Sequence, residues 1–298
     1  MPNLDPNFVA FLTPAAAVML ILFYLNLHLA SPLLAIVIRW MRWVLFSLFV
    51  AYAAIQFEMI DRPFWVIATT AFLGWFLVES VFNWLRVSAI SLSPLPLFPK
   101  FVVNTSGEEW PTQKRLLQAR EWLRANRFNP VQALKAEVGG GIWLRVSIYQ
   151  SQDAMIRLQI AFLPQESGTL TVCYSLSTET KDGLRYVTDN YYLPFGGFYP
   201  ENWLVERTPW RRSLASLVNR HSRRIATGLG GAGVPWQTDP LDDINQQQHL
   251  LEQVNTELGF LLPHTDHEEY GKITPEGRFR IWKEAFLLNY LGISSRYS

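Results

Sequence analysis

The chain has 298 residues, 49% of them hydrophobic and only 17% charged, with a formal net charge of +1 and a mean hydropathy of +0.08. Soluble domains carry roughly 25% charged residues, so this average joins two unlike parts. Residues 1–90 hold four basic and four acidic side chains, and residues 91–298 hold 22 and 21. These figures exclude a disordered chain, a disulfide scaffold, a collagen-like fibre and a strongly basic nucleic-acid binder; they point to a membrane anchor joined to a globular part.

Residues 8–29 form one apolar run of 22 residues without a formal charge. As a helix it is about 33 Å long, enough to cross a bilayer. The run lacks the basic flank of a signal peptide and contains Pro14, which membrane helices tolerate. A second span is expected over 33–57, where Arg39-Trp40-Met41-Arg42-Trp43 suits a membrane–water boundary. Residues 32–42 either open that helix or lie along the interface. A third span is expected over 64–84. The first turn carries Arg39 and Arg42 and the turn 58–63 has no basic excess. The positive-inside rule then places the N-terminus outside and the large C-terminal part in the cytoplasm of a multi-pass inner (plasma) membrane protein. The single cysteine, Cys173, agrees with a reducing compartment, in which the sequon at Asn104 goes unused.

Glu79 is the one ionisable side chain well inside a span, and Asn83 and Arg86 share its helix face. An intramembrane carboxylate marks an ion path or a structural pair; here pairing with Arg86 or Asn83, or with a partner subunit, is expected.

Three prolines in residues 91–99 make 91–110 a stiff linker. An α+β domain is expected over 111–227. A helix begins near Pro111 and runs to about Phe128. Strands follow over 131–138, 142–149, 154–163, 169–178 and 184–188, with an Asp182-Gly183 turn before the last. That pattern predicts an antiparallel meander of four to five strands with one apolar face, covered by flanking helices. Residues 190–203 hold six aromatics and two prolines and read as neither helix nor strand. Ser213 caps a helix to Ala226, and 228–238 reads as a Gly-rich linker. A C-terminal helical segment, 239–298, has helices opening at Asp239-Pro240 and at Thr274-Pro275-Glu276.

The chemistry-bearing groups are sparse. Gly228–Gly233 matches G-x-G-x-x-G, yet it follows a basic helix instead of a strand, so it reads as a helix stop. His264 to Glu269, even with His249, lacks the spacing of a metal site and reads as an acidic turn. Thr188, Asp189, Asn190 and Tyr192, where sheet and aromatics meet, are the candidate ligand-binding residues. Trp203, Arg207, Trp210, Arg211, Arg212, Arg220, Arg223 and Arg224 are candidates for contact with a membrane surface or a protein partner, or for pairing with the acidic stretch 239–269. The near-neutral charge of the soluble part argues against nucleic acid.

No complete catalytic constellation can be assembled. The expectation is a non-enzymatic membrane protein with lipid around its anchor, no catalytic residues, no cofactor and no metal. Its cytoplasmic domain docks a protein partner or second copy, or binds a small ligand. The alternatives are an enzyme with its site at Thr188–Asn190 and a transport-complex subunit using Glu79.

Overall fold

The computed structural model describes residues 6–29, 31–106, 110, 114–139, 141–164, 170–228 and 232–294. They form two compact units. Residues up to Ala89 together with Ala285–Ile293 make the first, and Ile90–Glu284 with Ser294 make the second.

The first unit is helical: α1 (Pro6–Leu29), α2 (Pro32–Gln56) and the bulk of α3 (Phe64–Leu92). Ser31 sits in extended geometry before Pro32, whose fixed φ suits a first helical position. Residues 32–42 are therefore the opening of one continuous helix. α2 and α3 are long and apolar enough to cross a membrane, while the apolar stretch that stands out in α1, Leu12–Leu27, is shorter. The expected three spans thus reduce to two on length and composition. α3 also continues eight residues past Trp84. Ala51 and Ala54 of α2 form one buried cluster with Ile67 and Ala68 of α3. Large apolar side chains turn outward: Leu20, Phe49, Leu77 and Val78 are all more than half exposed.

The second unit is α+β. Its sheet holds eight strands: β1 (Val102–Val103), β2 (Asn129–Gly139), β3 (Ile142–Gln150), β4 (Arg157–Pro164), β5 (Leu170–Thr180), β6 (Arg185–Asp189), β7 (Trp203–Arg207) and β8 (Gly233–Val234). The spatial order is β1 to β7 in sequence, with β8 paired to the end of β5. Five of these are the expected meander; the expected count of four to five is too low. β1 and β8 are two-residue strands whose pairing is set by the tertiary fold, not by a local pattern. β7, outside the expected meander, pairs in parallel with β6. The segment 190–202 carries the chain back so that Trp203 starts opposite Arg185, the crossover that parallel pairing demands.

The expectation of one apolar face also needs correction, because both faces are covered. On one face Tyr149, Leu158, Ile160, Phe162, Tyr174 and Leu176 pack with Leu123 of α4 (Lys114–Ala125) and with Leu214 and Leu217 of α5 (Leu214–Thr227). On the other, Leu134, Ala136, Val146, Ile148, Ala161 and Cys173 pack with Ile244 of α6 (Pro240–Glu257). The polar half of the alternation, Arg157, Ser175 and Ser177, is thereby buried. Buried polar groups need partners, and these partners build the candidate site. A short α7 (His267–Tyr270) and α8 (Pro275–Phe286) complete the helices, and α8 runs into a π-helical turn, Leu287–Leu291.

Candidate functional site

Every residue of β6 is buried, so Thr188 and Asp189 lie inside the sheet, not on an open pocket wall. Thr188 belongs to a hydrogen-bonded chain centred on His221 of α5, which is fully buried. Arg224 Nη1 donates to Thr188 Oγ1 at 2.6 Å. His221 Nδ1 lies 2.9 Å from Thr188 Oγ1, and Nε2 lies 3.0 Å from Thr178 Oγ1. The Thr178 hydroxyl donates its one proton to the Met155 carbonyl, so toward His221 it can only accept. Nε2 therefore carries the imidazole proton, and Nδ1 accepts from Thr188. Burial, reinforced by the Arg224 charge, depresses the His221 pKa to about 3 and keeps the ring neutral. The chain ties α5 to β5 and β6.

Asp189 faces the opposite side. It accepts from Arg207 Nε at 3.0 Å and from the Tyr191 backbone N–H at 3.1 Å. Arg207 also donates to the Leu193 carbonyl and to Tyr199 Oη, and its Nη1 lies 3.6 Å from Glu284 of α8, which is fully buried. Glu284 in turn accepts the backbone N–H groups of Phe195 and Gly196. One guanidinium between two buried carboxylates leaves Asp189 strongly desolvated, and burial raises its pKa despite Arg207. Asn190 accepts from the Tyr174 N–H and donates to the Arg211 carbonyl. The Tyr192 N–H reaches the Cys173 thiol, whose pKa burial pushes up to about 12, so the thiol is inert. The predicted ligand-binding residues are brought together, but as a buried brace that pins the aromatic segment 190–202.

The predicted surface residues divide into three groups. Trp203 and Arg207 are buried. Arg220 and Arg224 both pair with Glu206 of β7, at 2.8 and 2.9 Å, and not with the acidic stretch 239–269. Trp210, Arg211 and Arg223 are exposed and Arg212 is half-buried, with Arg211 donating to Ser216.

The acidic stretch finds a different partner, which sequence reasoning missed. Asp243 of α6 accepts from Arg157 Nη1 at 2.7 Å and from Arg185 Nη2. Both guanidiniums lie over the Trp236 ring, at 4.3 and 4.7 Å from its centroid. Arg157 also donates to the Thr238 carbonyl, and Gln247 donates to Asp243. The signal for this cluster was the arginine inside each of two buried strands.

In the first unit Glu79 pairs at 2.6 Å with Arg42 of α2, not with Asn83 or Arg86. Asn83 is buried and Arg86 stacks over Phe82 of its own helix. Half of the glycine motif, residues 229–231, lies outside the described residues; Gly233 forms part of β8. His264 pairs with Glu252, and among the described residues no three His, Cys, Asp or Glu side chains converge as metal ligands.

Comparison with protein-family models, with curated proteins and with solved structures finds no match.

Proposed function

We propose that this is a multi-pass membrane protein whose three N-terminal helices anchor a cytoplasmic α+β domain that docks a protein partner and performs no catalysis. The observation that carries the reading is the outward display of large apolar side chains along α1, α2 and α3, which water would not tolerate as one continuous surface. α1 is the third span in this reading, because its 24 residues reach about 36 Å. The loop charges around Arg39 and Arg42 favour an external N-terminus and a domain in the cytoplasm of the plasma (inner) membrane.

Partner docking is favoured over a small ligand because the polar groups of Thr188, Asp189 and Asn190 are buried and already bonded. An enzyme working at these residues would first have to dismantle the brace. Glu79 is likewise engaged by Arg42, which supports a structural pair over an ion path. Extraction of tagged protein from native membranes in mild detergent, followed by mass spectrometry, tests the proposal. A stoichiometric partner supports it. A lone chain, together with turnover of a metabolite that is abolished by Asp189→Ala, contradicts it.

A further inference from the structure

We infer that the C-terminal segment Ala285–Ile293 is itself embedded in the lipid interface, so that the chain returns to the membrane after the soluble unit. The inference rests on the anchor reading above and adds an element to it.

The segment groups with α2 and α3, on the far side of nearly two hundred residues of soluble fold. Tyr290 is buried against Trp43 and Trp40 of α2, and Phe286 packs edge-on against Phe76 of α3. The polar groups at this level are Arg39, Arg42, Glu79 and Asn289, all but one of them charged. Such groups collect where a bilayer meets water, and tryptophan joins them there.

The ending of the helix is the second observation. A helix C-terminus leaves its last carbonyls to a glycine cap, to side chains or to solvent. Here the protein satisfies them one after another. The Leu287 and Leu288 carbonyls accept from Ile293 and Gly292 N–H groups. The Asn289 carbonyl and its side-chain oxygen accept from Arg39 Nη1, each at 2.8 Å. The Tyr290 carbonyl accepts from Trp40 Nε1 at 2.9 Å. The first two bonds are an ordinary glycine cap; the Arg39 and Trp40 bonds come from α2, and such satisfaction from within the protein meets what lipid demands of a backbone. On either side of the Gly292 cap, Leu291 and Ile293 turn outward, 49% and 56% exposed. Lipid is the occupant that fits, because the segment packs through Phe286 and Tyr290 on α2 and α3, whose own large apolar side chains turn outward.

The test uses the full chain in liposomes, in a Cys173→Ala background. An environment-sensitive fluorophore is attached at Leu291→Cys, Ile293→Cys, Leu77→Cys or Lys181→Cys, all exposed positions whose substitution leaves the packing intact. Lipids carrying a nitroxide near the headgroup supply the quencher. The inference predicts blue-shifted emission and loss of fluorescence at 291 and 293, as at 77, with none at 181. Quenching at 77 but not at 291 and 293 overturns the inference and leaves the anchor standing. Absence of quenching at 77 overturns the anchor, and the inference with it.

Discussion

Arg42 and Glu79 meet at 2.6 Å across the α2–α3 interface. The pair gives Glu79, the carboxylate of α3, a counter-charge from α2. Its Arg42 side chain is nearly half exposed, so its net contribution is that of a partly screened pair, about 1 kcal/mol. Glu79→Gln and Arg42→Ala should each lower the thermal stability of the detergent-solubilised protein. The double variant should lose less than the sum of the two. Strict additivity in that double-mutant cycle would show that the pair does not couple the helices.

The Asp243 cluster should be far less forgiving. Arg157, Arg185 and Asp243 are all buried, and removing the charge leaves Arg157 without a carboxylate and Arg185 with only the partly exposed Glu179 at 3.6 Å. Asp243→Asn is expected to cost about 3–5 kcal/mol, read as a drop in Tm of roughly 10 °C for a domain of this size. A shift of only a degree or two would mean that water reaches the cluster.

Acid sensitivity follows from His221. Its folded pKa, about 3, lies below the unfolded value of 6.5. The unfolded chain therefore binds the proton first, and stability falls as pH drops from about 6.5 toward 3. Asp189 opposes this, because its folded pKa is raised and the folded state takes up that proton more readily in acid. The His221 contribution is isolated by comparison with His221→Gln, whose stability should be lower at pH 7 and fall less between pH 6.5 and 4. Parallel pH profiles for parent and variant would contradict the buried neutral ring.

Two glycines with the same backbone sign should behave differently. Gly183 has φ +74° and open space where a Cβ would stand; Gly196 has φ +70°, and a Cβ there would sit 2.7 Å from the Ile281 backbone nitrogen. Gly183→Ala costs only the left-handed strain, about 1–2 kcal/mol. Gly196→Ala adds a clash with the α8 backbone and disturbs the N–H that Glu284 accepts. Urea unfolding of the two variants should rank Gly196→Ala as the more damaging; equal losses would show that the 190–202 segment yields freely.

The elements that proved legible are those whose pattern is local. Alternation in β4 and β5 and the turns between the strands located β2 to β6, and Ser213 and Asp239 do cap α5 and α6, accepting from Ser216 and Leu241 N–H groups. What the sequence hid is non-local. β7 is parallel and set by a returning loop. Arg157 looked like the solvent side of β4 because its partner Asp243 is 86 residues away. Thr188 and Asp189 were found as a polar concentration, but their burial depends on α5 and Arg207, which only the fold brings near. Phe286 and Tyr290 fit the apolar stripe of a soluble helix, and their aromatic contacts are with Phe76 of α3 and Trp43 of α2.

The most direct test of the anchored topology is labelling of single cysteines in intact cells with a membrane-impermeant maleimide. Met59, at the α2–α3 turn, is 73% exposed, and Lys181, at the β5–β6 turn, is exposed as well. The native Cys173 is buried and gives little background. Met59→Cys should react in intact cells and Lys181→Cys only after lysis. Equal reactivity at both sites, or the reverse order, would contradict a plasma-membrane anchor with a cytoplasmic domain.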